Sequence, residues 1–354
     1  MVKVSHKLFL GCQKDKMILI DALHINNSGG KILLDYLIES IESAGLKVFY
    51  LLDSRIEDEH PLIRNNIVQY MEASFMNRYG FYKQEGKRFG LVFCFGNLPP
   101  AIRLDAEVYT YFHQKLFLKV PSNLEFFSKL SLWLKSGIVG RMKNNTDYWV
   151  VQTDLMKREF SAKFKAKDDE VLVIPFYPSM RLKSSSIMTR RKNSFLFVSS
   201  YNVHKNHENL LIGFKKFYDI NKLGELHLTL FEDSSEIISK VKKMQADGYP
   251  IINHGFITRQ KLLPIYNSVE YIVYPSFSES FGLGIIEGIE NGCKVLGADL
   301  DYMKAVCIPD VVFDPYSIDE IKKGFENAVK LKEVKTVQLT FNEIDKILQL
   351  LKIK

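Results

Sequence analysis

Two glutamates and two glycines lie between residues 274 and 287. Their spacing suits a binding site for an anionic ligand that also carries hydroxyl groups. The segment Tyr274-Pro-Ser-Phe-Ser-Glu-Ser-Phe-Gly-Leu-Gly-Ile-Ile-Glu287 leaves a predicted strand and enters a predicted helix near Gly284. Glycines at a helix start let backbone N–H groups approach an anion, and the helix dipole favours a phosphate there. Glu279 precedes the helix and Glu287 lies a turn inside it, so both carboxylates can accept hydrogen bonds from hydroxyl groups.

A lysine at position 205 is the cation that such a phosphate site needs. The segment Phe195-Leu-Phe-Val-Ser-Ser-Tyr-Asn-Val-His-Lys-Asn206 has the pattern of a strand, a loop and the start of a helix, with Lys205 at the helix entry. A lysine beside phosphates neutralises them as a point charge. An exposed lysine at a helix start is the alternative interpretation, which the sequence alone leaves open.

Three segments in the first half place polar residues at the ends of predicted strands. Asn26-Asn-Ser-Gly-Gly30 is a glycine turn after the first strand, His113 ends a second strand, and Gln152 and Thr153 end a third. Ligands of open α/β sheets bind outside the carboxyl ends of the strands. We therefore expect His113 to border a cleft, although a single histidine is often structural and a glycine turn is common in such domains.

In these segments the chain resembles the retaining glycosyltransferases of family 4, whose fold is called GT-B. The match is densest from Pro275 to Glu287, which fits the family pattern P-S-x-x-E-S-F-G-L-x-x-x-E. The resemblance extends from Asn26 to Pro315 and is close only in the second half. It implies that Glu279 contacts the transferred sugar, that Glu287 contacts the ribose of a nucleotide, and that the Gly282–Gly284 backbone contacts a diphosphate.

The resemblance implies a full set of site residues. The catalytic residues would be Glu279, Lys205 and His113; the donor-binding residues Gly29, Gly30, Ser200, Lys205, Phe281, Gly282, Leu283, Gly284 and Glu287; and the acceptor-side residues Gln152 and Thr153. The chain departs from the family pattern in two places. Ser199 and Ser200 replace a glycine and an arginine, which leaves more of the electrostatic task to Lys205, and Ala305 replaces a glutamate.

The implied activity is the transfer of a hexose, with mannose as one candidate, from a nucleotide diphosphate sugar to a glycan acceptor with retention of anomeric configuration. Similarity to bacterial lipopolysaccharide and capsule assembly enzymes implies a lipid-linked acceptor and a role in surface polysaccharide synthesis. Departure of the diphosphate requires a cradle that stabilises an anion. Lys205, the Gly282–Gly284 amides and the Gly29–Gly30 loop provide one, so we expect neither a metal ion nor another cofactor.

Short apolar runs alternate with helical patterns along the chain, which indicates parallel sheets covered by helices on both faces. Strands are predicted at Met17–Asp21, Lys47–Leu52, Leu91–Phe95, Val108–Phe112, Tyr148–Gln152, Val171–Ile174, Phe195–Ser199, Leu226–Phe231, Ile251–Asn253, Tyr271–Tyr274, Lys294–Leu296 and Val311–Phe313. Helices are predicted, among others, at Gly30–Ala44, Asn123–Gly137, Asp154–Phe164, Glu208–Ile220, Glu236–Asp247, Arg259–Asn267, Gly284–Asn291 and Ile318–Lys330.

The predicted architecture is α/β, with two doubly wound, Rossmann-like domains that face a cleft, as in GT-B. A chain of 354 residues is long enough for two domains. Prolines at 175 and 178, followed by a polar stretch from Lys183 to Asn193, have the composition of a linker. The predicted boundaries are residues 1–180 for an acceptor domain and 181–354 for a nucleotide-sugar donor domain, with a C-terminal helix that packs back on the first domain.

The formal net charge of +7 is concentrated in one stretch of the chain. Residues 115–167 contain eleven Lys or Arg against four Asp or Glu, interleaved with seven phenylalanines and tryptophans. This pattern suits an anionic membrane surface or an anionic substrate, and it equally suits a solvated helical face with ordinary core aromatics. No nucleic-acid-binding motif accompanies the charge, so nucleic acid is not an expected partner.

The expected location is the cytoplasm, with peripheral attachment to the inner face of the plasma membrane as an option. The first apolar run, Met17 to Ile20, is too short for a secretory signal, and no run approaches the roughly 20 apolar residues that cross a bilayer. The four cysteines, at positions 12, 94, 293 and 307, are far apart, which suits a reducing compartment.

Two other classes of protein remain open at this point. The pattern Gly282-x-Gly284-x-x-Glu287, with an aspartate further on, partly matches the dinucleotide fingerprint of an NAD-dependent oxidoreductase but lacks its third glycine. The other class is a catalytically inactive GT-B relative that binds glycans, because Ser200 and Ala305 stand where the family has other residues.

Overall fold

The computed structural model describes residues 16–120, 126–181, 189–232, 235–333 and 335–352, and these residues form two parallel sheets flanked by helices. Cys12 and most of the predicted linker lie outside the described residues. Within the described first half, the sheet contains β1 (Met17–Ala22), β2 (Val48–Asp53), β3 (Ile67–Met71), β4 (Phe89–Phe95), β5 (Glu107–Tyr111), β6 (Tyr148–Val151) and β7 (Val171–Val173). Its helices are α1 (Ser28–Ser43), α2 (Phe75–Glu85), α3 (Phe126–Met142) and α4 (Asp154–Phe164).

The second half repeats the arrangement. Its parallel strands, as far as the chain is described, are β8 (Arg191–Phe197), β9 (Glu225–Leu228), β10 (Ile251–Asn253), β11 (Val269–Tyr274), β12 (Lys294–Ala298) and, after the short β13 (Cys307–Ile308), β14 (Val311–Phe313). Its helices are α5 (His207–Asn221), α6 (Ser235–Ala246), α7 (Arg259–Ser268), α8 (Leu283–Glu290), α9 (Asp301–Val306) and α10 (Ile318–Lys330). β15 (Val337–Gln338) pairs antiparallel with β13, and α11 (Ile344–Leu350) follows.

Both sheets reverse their strand order at one point. The first sheet has the order β3-β2-β1-β4-β5-β6-β7, and the second has the order β10-β9-β8-β11-β12-β14. Chain connections run outward in opposite directions from β1 and β4, and likewise from β8 and β11. A crevice therefore opens at the carboxyl ends of each of these strand pairs, and in open α/β sheets this is the place where ligands bind.

The central strands are mostly apolar because helices cover both faces of each sheet. All six residues of β2 are buried, for example, as expected of a central parallel strand. Side-chain caps fix where several helices begin. Ser74, Thr153 and Ser317 accept hydrogen bonds from backbone N–H groups in the first turns of α2, α4 and α10, respectively.

The two halves are joined by a packed seam as well as by the chain. The rings of Tyr177 and Phe281 lie 5.7 Å apart, and Ser179 donates a hydrogen bond to the Glu290 carboxylate at the end of α8. The segment before α11 returns to the first half. There Asn342 donates to the Tyr36 hydroxyl of α1 at 2.8 Å. These contacts hold the two crevices opposite each other.

The predicted strands and helices are present, with corrections to their ends. β8 begins at Arg191 because its polar first residues pair with β11, and β9 ends at Leu228 instead of Phe231. α3 runs on to Met142, and the first predicted residues of this helix, 123–125, lie outside the described residues. β3 and α2 are not predicted by the sequence pattern. β3 is an edge strand without a buried run, and α2 buries Arg78, which breaks its apolar pattern.

Arg78 generates a prediction about stability. Its Nε lies 2.7 Å from Oδ2 of Asp21 in the core, and its guanidinium also donates to the carbonyls of Leu98 and Pro99. Removing one partner of a buried ion pair leaves the other charge without compensation. We expect Arg78→Met to lower the free energy of unfolding in urea by about 3–5 kcal/mol.

The matched control is Arg103→Met, because Arg103 pairs with Asp147 at the surface. Exposed pairs contribute about 0–1 kcal/mol, so this variant should unfold at nearly the wild-type urea concentration. Equal losses in the two variants would show that the Asp21–Arg78 pair is not a special constraint on the first sheet.

Candidate active site

A cavity of about 490 Å³ lies in the cleft between the carboxyl ends of the two sheets. The first half lines it with residues that follow β1, β5 and β6, and the second half with residues that follow β8 and β11. The structure brings most of the predicted site residues together on its walls: Gly29, Gly30, His113, Gln152, Lys205, Glu279, Phe281, Gly282, Leu283 and Gly284.

The strongest electrostatic contact in this cavity joins the two residues predicted to handle the diphosphate and the sugar. Nζ of Lys205 donates to both carboxylate oxygens of Glu279, at 2.8 Å each. Lys205 ends a single turn of 3-10 helix after β8, and Glu279 lies in the loop after β11. Because both side chains are mostly buried, the pair is poorly screened by solvent. A phosphate that binds Lys205 must share it with Glu279 or displace this carboxylate.

The loop that follows Glu279 depends on glycine. Gly282 has φ +71°, in the left-handed region, and α8 begins at the next residue. A Cβ atom at Gly284 would lie 1.9 Å from the Tyr274 hydroxyl oxygen, so the first turn of α8 packs directly on the end of β11. The first N–H groups of a helix have no partner within it, and α8 can therefore donate hydrogen bonds to an anion in the cavity.

His113 faces this loop from the first half. Its Nε2 would lie 3.5 Å from a Cβ atom at Gly30, so the glycine leaves room beside the imidazole ring. The backbone N–H of His113 donates to the side chain of Asn97 at 2.7 Å, and Asn97 precedes the carbonyls held by Arg78. Burial lowers the pKa of His113 to about 4, which makes the ring neutral near pH 7.

Three predicted residues do not line the central cavity. Ser200 is exposed outside it. Glu287 is a buried residue of α8. Arg259 donates a hydrogen bond to its carboxylate at 2.7 Å and Tyr266 donates another at 3.2 Å. Burial raises the pKa of this carboxyl group. Thr153 caps α4 and lines a neighbouring cavity of about 680 Å³, which Gln152 also borders. The binding roles assigned to these residues stay predictions.

Other residues of the cavity are not among the predicted ones. They include Ser28, Gln114, Lys115, Asn202, His204, Ser278 and Ser280. Ser278 and Ser280 flank Glu279, and Lys115 follows His113 by two residues, so proximity to the predicted residues is a signal that could have found them. Asn97 carries no such signal, because its role depends on a left-handed backbone conformation with φ +68°.

His204 adds a second neutral imidazole to the cavity. Burial and the neighbouring charge of Lys205 lower its pKa to about 4. Its Nδ1 lies 2.6 Å from Oδ1 of Asn202, which fixes the ring beside the Lys205–Glu279 pair. Lys205 and the dipole of α8 are therefore the main positive charges that the second half presents to an anion here.

The described residues contain no group of three or more His, Cys, Asp or Glu side chains arranged to hold a metal ion. Across the same residues, no helix combines the length and the apolarity that crossing a bilayer requires. The cysteines at 94, 293 and 307 are buried free thiols.

The second half of the chain is similar to a known family of proteins. Residues 183–338 match the family model described as glycosyl transferases group 1. A segment of 80 residues is 31% identical to the serotype-specific mannosyltransferase WbdA of Escherichia coli. This segment is 22% of the chain and 10% of WbdA, so the chain corresponds to only a small part of that relative.

Solved structures with the same fold cover nearly the whole chain. The sucrose-phosphate synthase of Thermosynechococcus elongatus has a TM-score of 0.67 at 16% identity, over 95% of this chain and 98% of that one. Anabaena HepE, solved in complex with UDP and glucose, has a TM-score of 0.65 at 11% identity, over 89% and 90%. WaaG, a glycosyltransferase involved in lipopolysaccharide biosynthesis, has a TM-score of 0.64 at 13% identity, over 89% and 91%.

The chain therefore has the GT-B fold, and the resemblance to glycosyltransferases predicted from the sequence is confirmed at the level of group 1. The matched residues include the whole segment from Lys205 to Glu287. Gly282 and Gly284 thus lie within the region that is similar to glycosyl transferases group 1.

The Lys205–Glu279 pair generates a prediction about nucleotide binding. We expect Lys205→Met to weaken the binding of UDP and GDP by about ten- to a hundred-fold, because a hydrogen bond to a charged group contributes about 1.5–3 kcal/mol. We expect Glu279→Gln to bind the same nucleotides as tightly as the wild type or more tightly, because Lys205 is then released from its competing partner. Isothermal titration calorimetry measures both effects.

The control is Lys216→Met, which removes a lysine of α5 that pairs with Asp319 at the surface. It should bind both nucleotides as the wild type does. Unchanged binding by Lys205→Met would remove this lysine from the phosphate site, and weaker binding by Glu279→Gln would contradict the proposed competition.

Proposed function

We propose that this protein is a retaining glycosyltransferase that moves a hexose from a nucleoside diphosphate sugar to a glycan acceptor. The observation that carries the proposal is the Lys205–Glu279 pair in a cavity built by both halves of a GT-B fold, opposite Gly30 and His113. A bond between an anomeric carbon and a diphosphate lies in this cavity if the diphosphate binds at Lys205 and the start of α8.

In the proposed reaction, negative charge develops on the departing diphosphate and positive charge on the anomeric carbon. Lys205 and the N–H groups at the start of α8 stabilise the diphosphate. When Lys205 turns to the phosphate, the carboxylate of Glu279 becomes free to accept hydrogen bonds from hydroxyl groups of the sugar. The buried environment strengthens each of these interactions. We infer that this exchange couples donor binding to the orientation of the sugar.

His113 acts in this scheme as an uncharged hydrogen-bonding group near the sugar. Its lowered pKa keeps the ring neutral at pH 7, so it adds no repulsion to the positive charge on the anomeric carbon. We assign no side chain as a covalent nucleophile, since the carboxylate of Glu279, once released by Lys205, accepts hydrogen bonds from the sugar hydroxyls. We propose instead that the acceptor attacks from the face that the diphosphate leaves, with the diphosphate as base, and without a metal ion.

The activity test uses variants of the two paired residues. We expect Lys205→Ala and Glu279→Ala each to lower turnover by about two to three orders of magnitude, the loss typical of one preorganised charge-stabilising group. Sugar transfer is measured by release of nucleoside diphosphate from GDP- and UDP-hexoses in the presence of excess chelator. Both variants should stay folded, because neither removes core volume, although each leaves one charge of a mostly buried pair without its partner and should unfold at a lower temperature than the wild type.

Lys216→Ala serves as the active control in this assay. Near-normal turnover by a folded Lys205 or Glu279 variant would contradict the role of that residue. Activity that disappears in chelator and returns with magnesium would contradict the metal-free cradle. Binding of nucleotides and glycans by the wild type without any product would favour the inactive glycan-binding alternative.

We propose mannose as the sugar of the donor. The reason is that an 80-residue segment of this chain is 31% identical to WbdA, which is described as a mannosyltransferase. A lipid-linked acceptor in surface polysaccharide synthesis is proposed on the same basis as well as on the similarity of fold to WaaG. The proposed site of action is the cytoplasmic face of the plasma membrane, where such an acceptor would be reached.

Helix α3 supports this location. Its residues Phe126, Phe127 and Trp133 are 72%, 80% and 66% exposed, and Leu130, Leu134 and Ile138 on the same helix are exposed as well. The other aromatic residues of the 115–167 stretch behave differently, since Trp149, Phe160 and Phe164 pack in the core. The two explanations offered by the sequence thus apply to different residues, and the exposed group lies on α3.

Exposed basic residues lie on α3 and near its carboxyl end. Lys135 and Arg141 lie on α3, and Lys163, Lys165 and Lys167 lie at the end of α4. Lys143 ties the ends of these helices together by donating to the carbonyl of Phe164 at 2.8 Å. An apolar helical face flanked by lysines is typical of helices that lie in the interface of anionic membranes. We therefore propose that α3 rests on an anionic lipid surface.

Vesicle co-sedimentation tests this surface. We expect the wild type to pellet with vesicles that contain phosphatidylglycerol and not with pure phosphatidylcholine, and salt should weaken the binding because the Debye length is about 10 Å at 0.1 M. A variant with Lys135, Lys163, Lys165 and Lys167 changed to glutamine should lose most binding, at about 1 kcal/mol per charge. A variant with Phe126, Phe127 and Trp133 changed to serine should lose binding at every salt concentration.

The matched control changes Lys222, Lys242, Lys243 and Lys261, which are exposed in the second half, to glutamine. It removes the same number of charges and should pellet like the wild type. Equal losses in the two lysine variants would assign the binding to net charge alone, and wild-type protein that stays in the supernatant would reduce α3 to an ordinary solvated helix.

A further inference from the structure

A second cavity, of about 500 Å³, adjoins the central one. The two share Lys115 and Ser278 in their walls, and Ser278 directly precedes Glu279. The second cavity also borders the 680 Å³ cavity that contains Thr153, because Asp301 lines both. It therefore adjoins both the proposed site of sugar transfer and the cavity that contains Thr153.

One wall of this second cavity is a pair of stacked aromatic rings, Phe277 and Tyr316. Their centroids are 4.7 Å apart and their planes differ by 16°. Tyr316 is 66% exposed, so a large, flat aromatic surface faces solvent at the edge of a cavity. Exposed aromatic surface beside a cavity commonly marks a binding site. We call this pair the aromatic platform.

The platform is held in place from beneath. The side-chain amide of Asn206 is buried, and its Nδ2 donates to the carbonyl of Pro275 at 3.0 Å and to that of Pro315 at 2.9 Å. These prolines lie shortly before Phe277 and Tyr316, respectively. The backbone N–H of Phe277 also donates to the carbonyl of His204 at 2.8 Å. The two loops that carry the rings are thus fixed to the segment that contains Lys205.

Polar groups surround the platform on the remaining walls. Asp301 is exposed in the wall of this cavity, and Asp299 pairs with Lys304 at 2.8 Å. Lys115, which also lines this cavity, is buried, with its Nζ 3.6 Å from the Glu159 carboxylate. One buried oxygen of Glu159 has no hydrogen-bonding partner among the described residues. The cavity thus combines a flat apolar surface with an exposed carboxylate, one buried carboxylate oxygen without a partner among the described residues, and a cationic donor.

This combination matches the chemistry of a pyranose. One face of the ring presents C–H groups, which pack flat against the electron-rich face of an aromatic ring. The hydroxyl groups at its edge are donors and acceptors, which carboxylates and a lysine can satisfy. A nucleobase also stacks on aromatic rings, but the proposed phosphate position at Lys205 and α8 belongs to the central cavity and not to this one.

We propose that the second cavity binds a sugar residue of the glycan acceptor, with its ring on the Phe277–Tyr316 platform and its hydroxyl groups toward Asp301 and Lys115. This assignment rests on the proposed transferase function, since it makes the platform the acceptor side of the same reaction. An acceptor chain held here extends past Asp301, which lines both this cavity and the 680 Å³ cavity, toward Thr153 in the second of these.

Saturation-transfer difference NMR tests the proposal with the full chain. The probes are manno-, gluco- and galacto-configured disaccharides, each in excess UDP and GDP so that the donor site is occupied. We expect saturation of the C–H protons on one face of at least one disaccharide with the wild type. Tyr316→Ala should reduce this signal by about fivefold, the order expected for the loss of one aromatic contact, and Tyr316→Phe should keep it because it keeps the ring.

Two results would overturn the proposal: equal signals from Tyr316→Ala and the wild type, or no signal from the wild type with any of the disaccharides. Calorimetry with UDP and GDP on the same samples separates this outcome from a failure of the transferase proposal. Normal nucleotide binding by Tyr316→Ala with loss of the sugar signal supports the platform as an acceptor site. Weaker nucleotide binding by Tyr316→Ala would instead assign the platform to the nucleobase and overturn the proposal, and wild-type protein that binds neither nucleotide would contradict the transferase function itself.

Discussion

The pairing of β8 with β11 is the constraint on which the site depends. These strands are neighbours in space but are separated in sequence by β9 and β10, because the second sheet reverses its order between them. The reversal places the loop that ends in Lys205 next to the loop that contains Glu279, although the two residues are 74 positions apart. Any strand order that inserted β9 or β10 between β8 and β11 would separate the cation from the carboxylate by at least one strand spacing, about 5 Å.

In the resulting ion pair each charged group has a partner, and Lys205 can exchange its partner for a phosphate. Charges that leave water need partners, and in this structure each residue provides one for the other. A diphosphate is a stronger partner for Lys205 than one carboxylate is, since it offers more charge and more acceptor atoms. The pair thus neutralises both charges while Lys205 stays able to change its partner. The neutral rings of His113 and His204 fit this logic, because further positive charge would repel both Lys205 and a developing positive charge on the sugar.

Much of this arrangement could be predicted from the sequence, and the exceptions have physical reasons. Strands buried on both faces, such as β1 and β11, carry continuous apolar runs and were predictable, whereas the edge strand β3 carries none. Glu279 and Lys205 lie in local motifs. Asn97 and Asn206 do not, because each acts through a left-handed backbone conformation and through carbonyls that only the tertiary fold brings near. Glu287 lies in a motif as well, but its burial beside Arg259 depends on how α8 packs on α7.

Asn206 connects the two sides of the proposed reaction. It directly follows Lys205, and its amide holds both loops that carry the aromatic platform. A shift of Lys205 from Glu279 toward a diphosphate would therefore act on a segment that is fastened to the platform, and Phe277 is fastened to the same segment through the carbonyl of His204. In a cleft built this way, the site for the departing group and the site for the acceptor share one rigid element at the entrance to α5. Holding two reactants in a fixed relative position increases the reaction rate, because the reactants no longer have to meet by diffusion in the correct orientation.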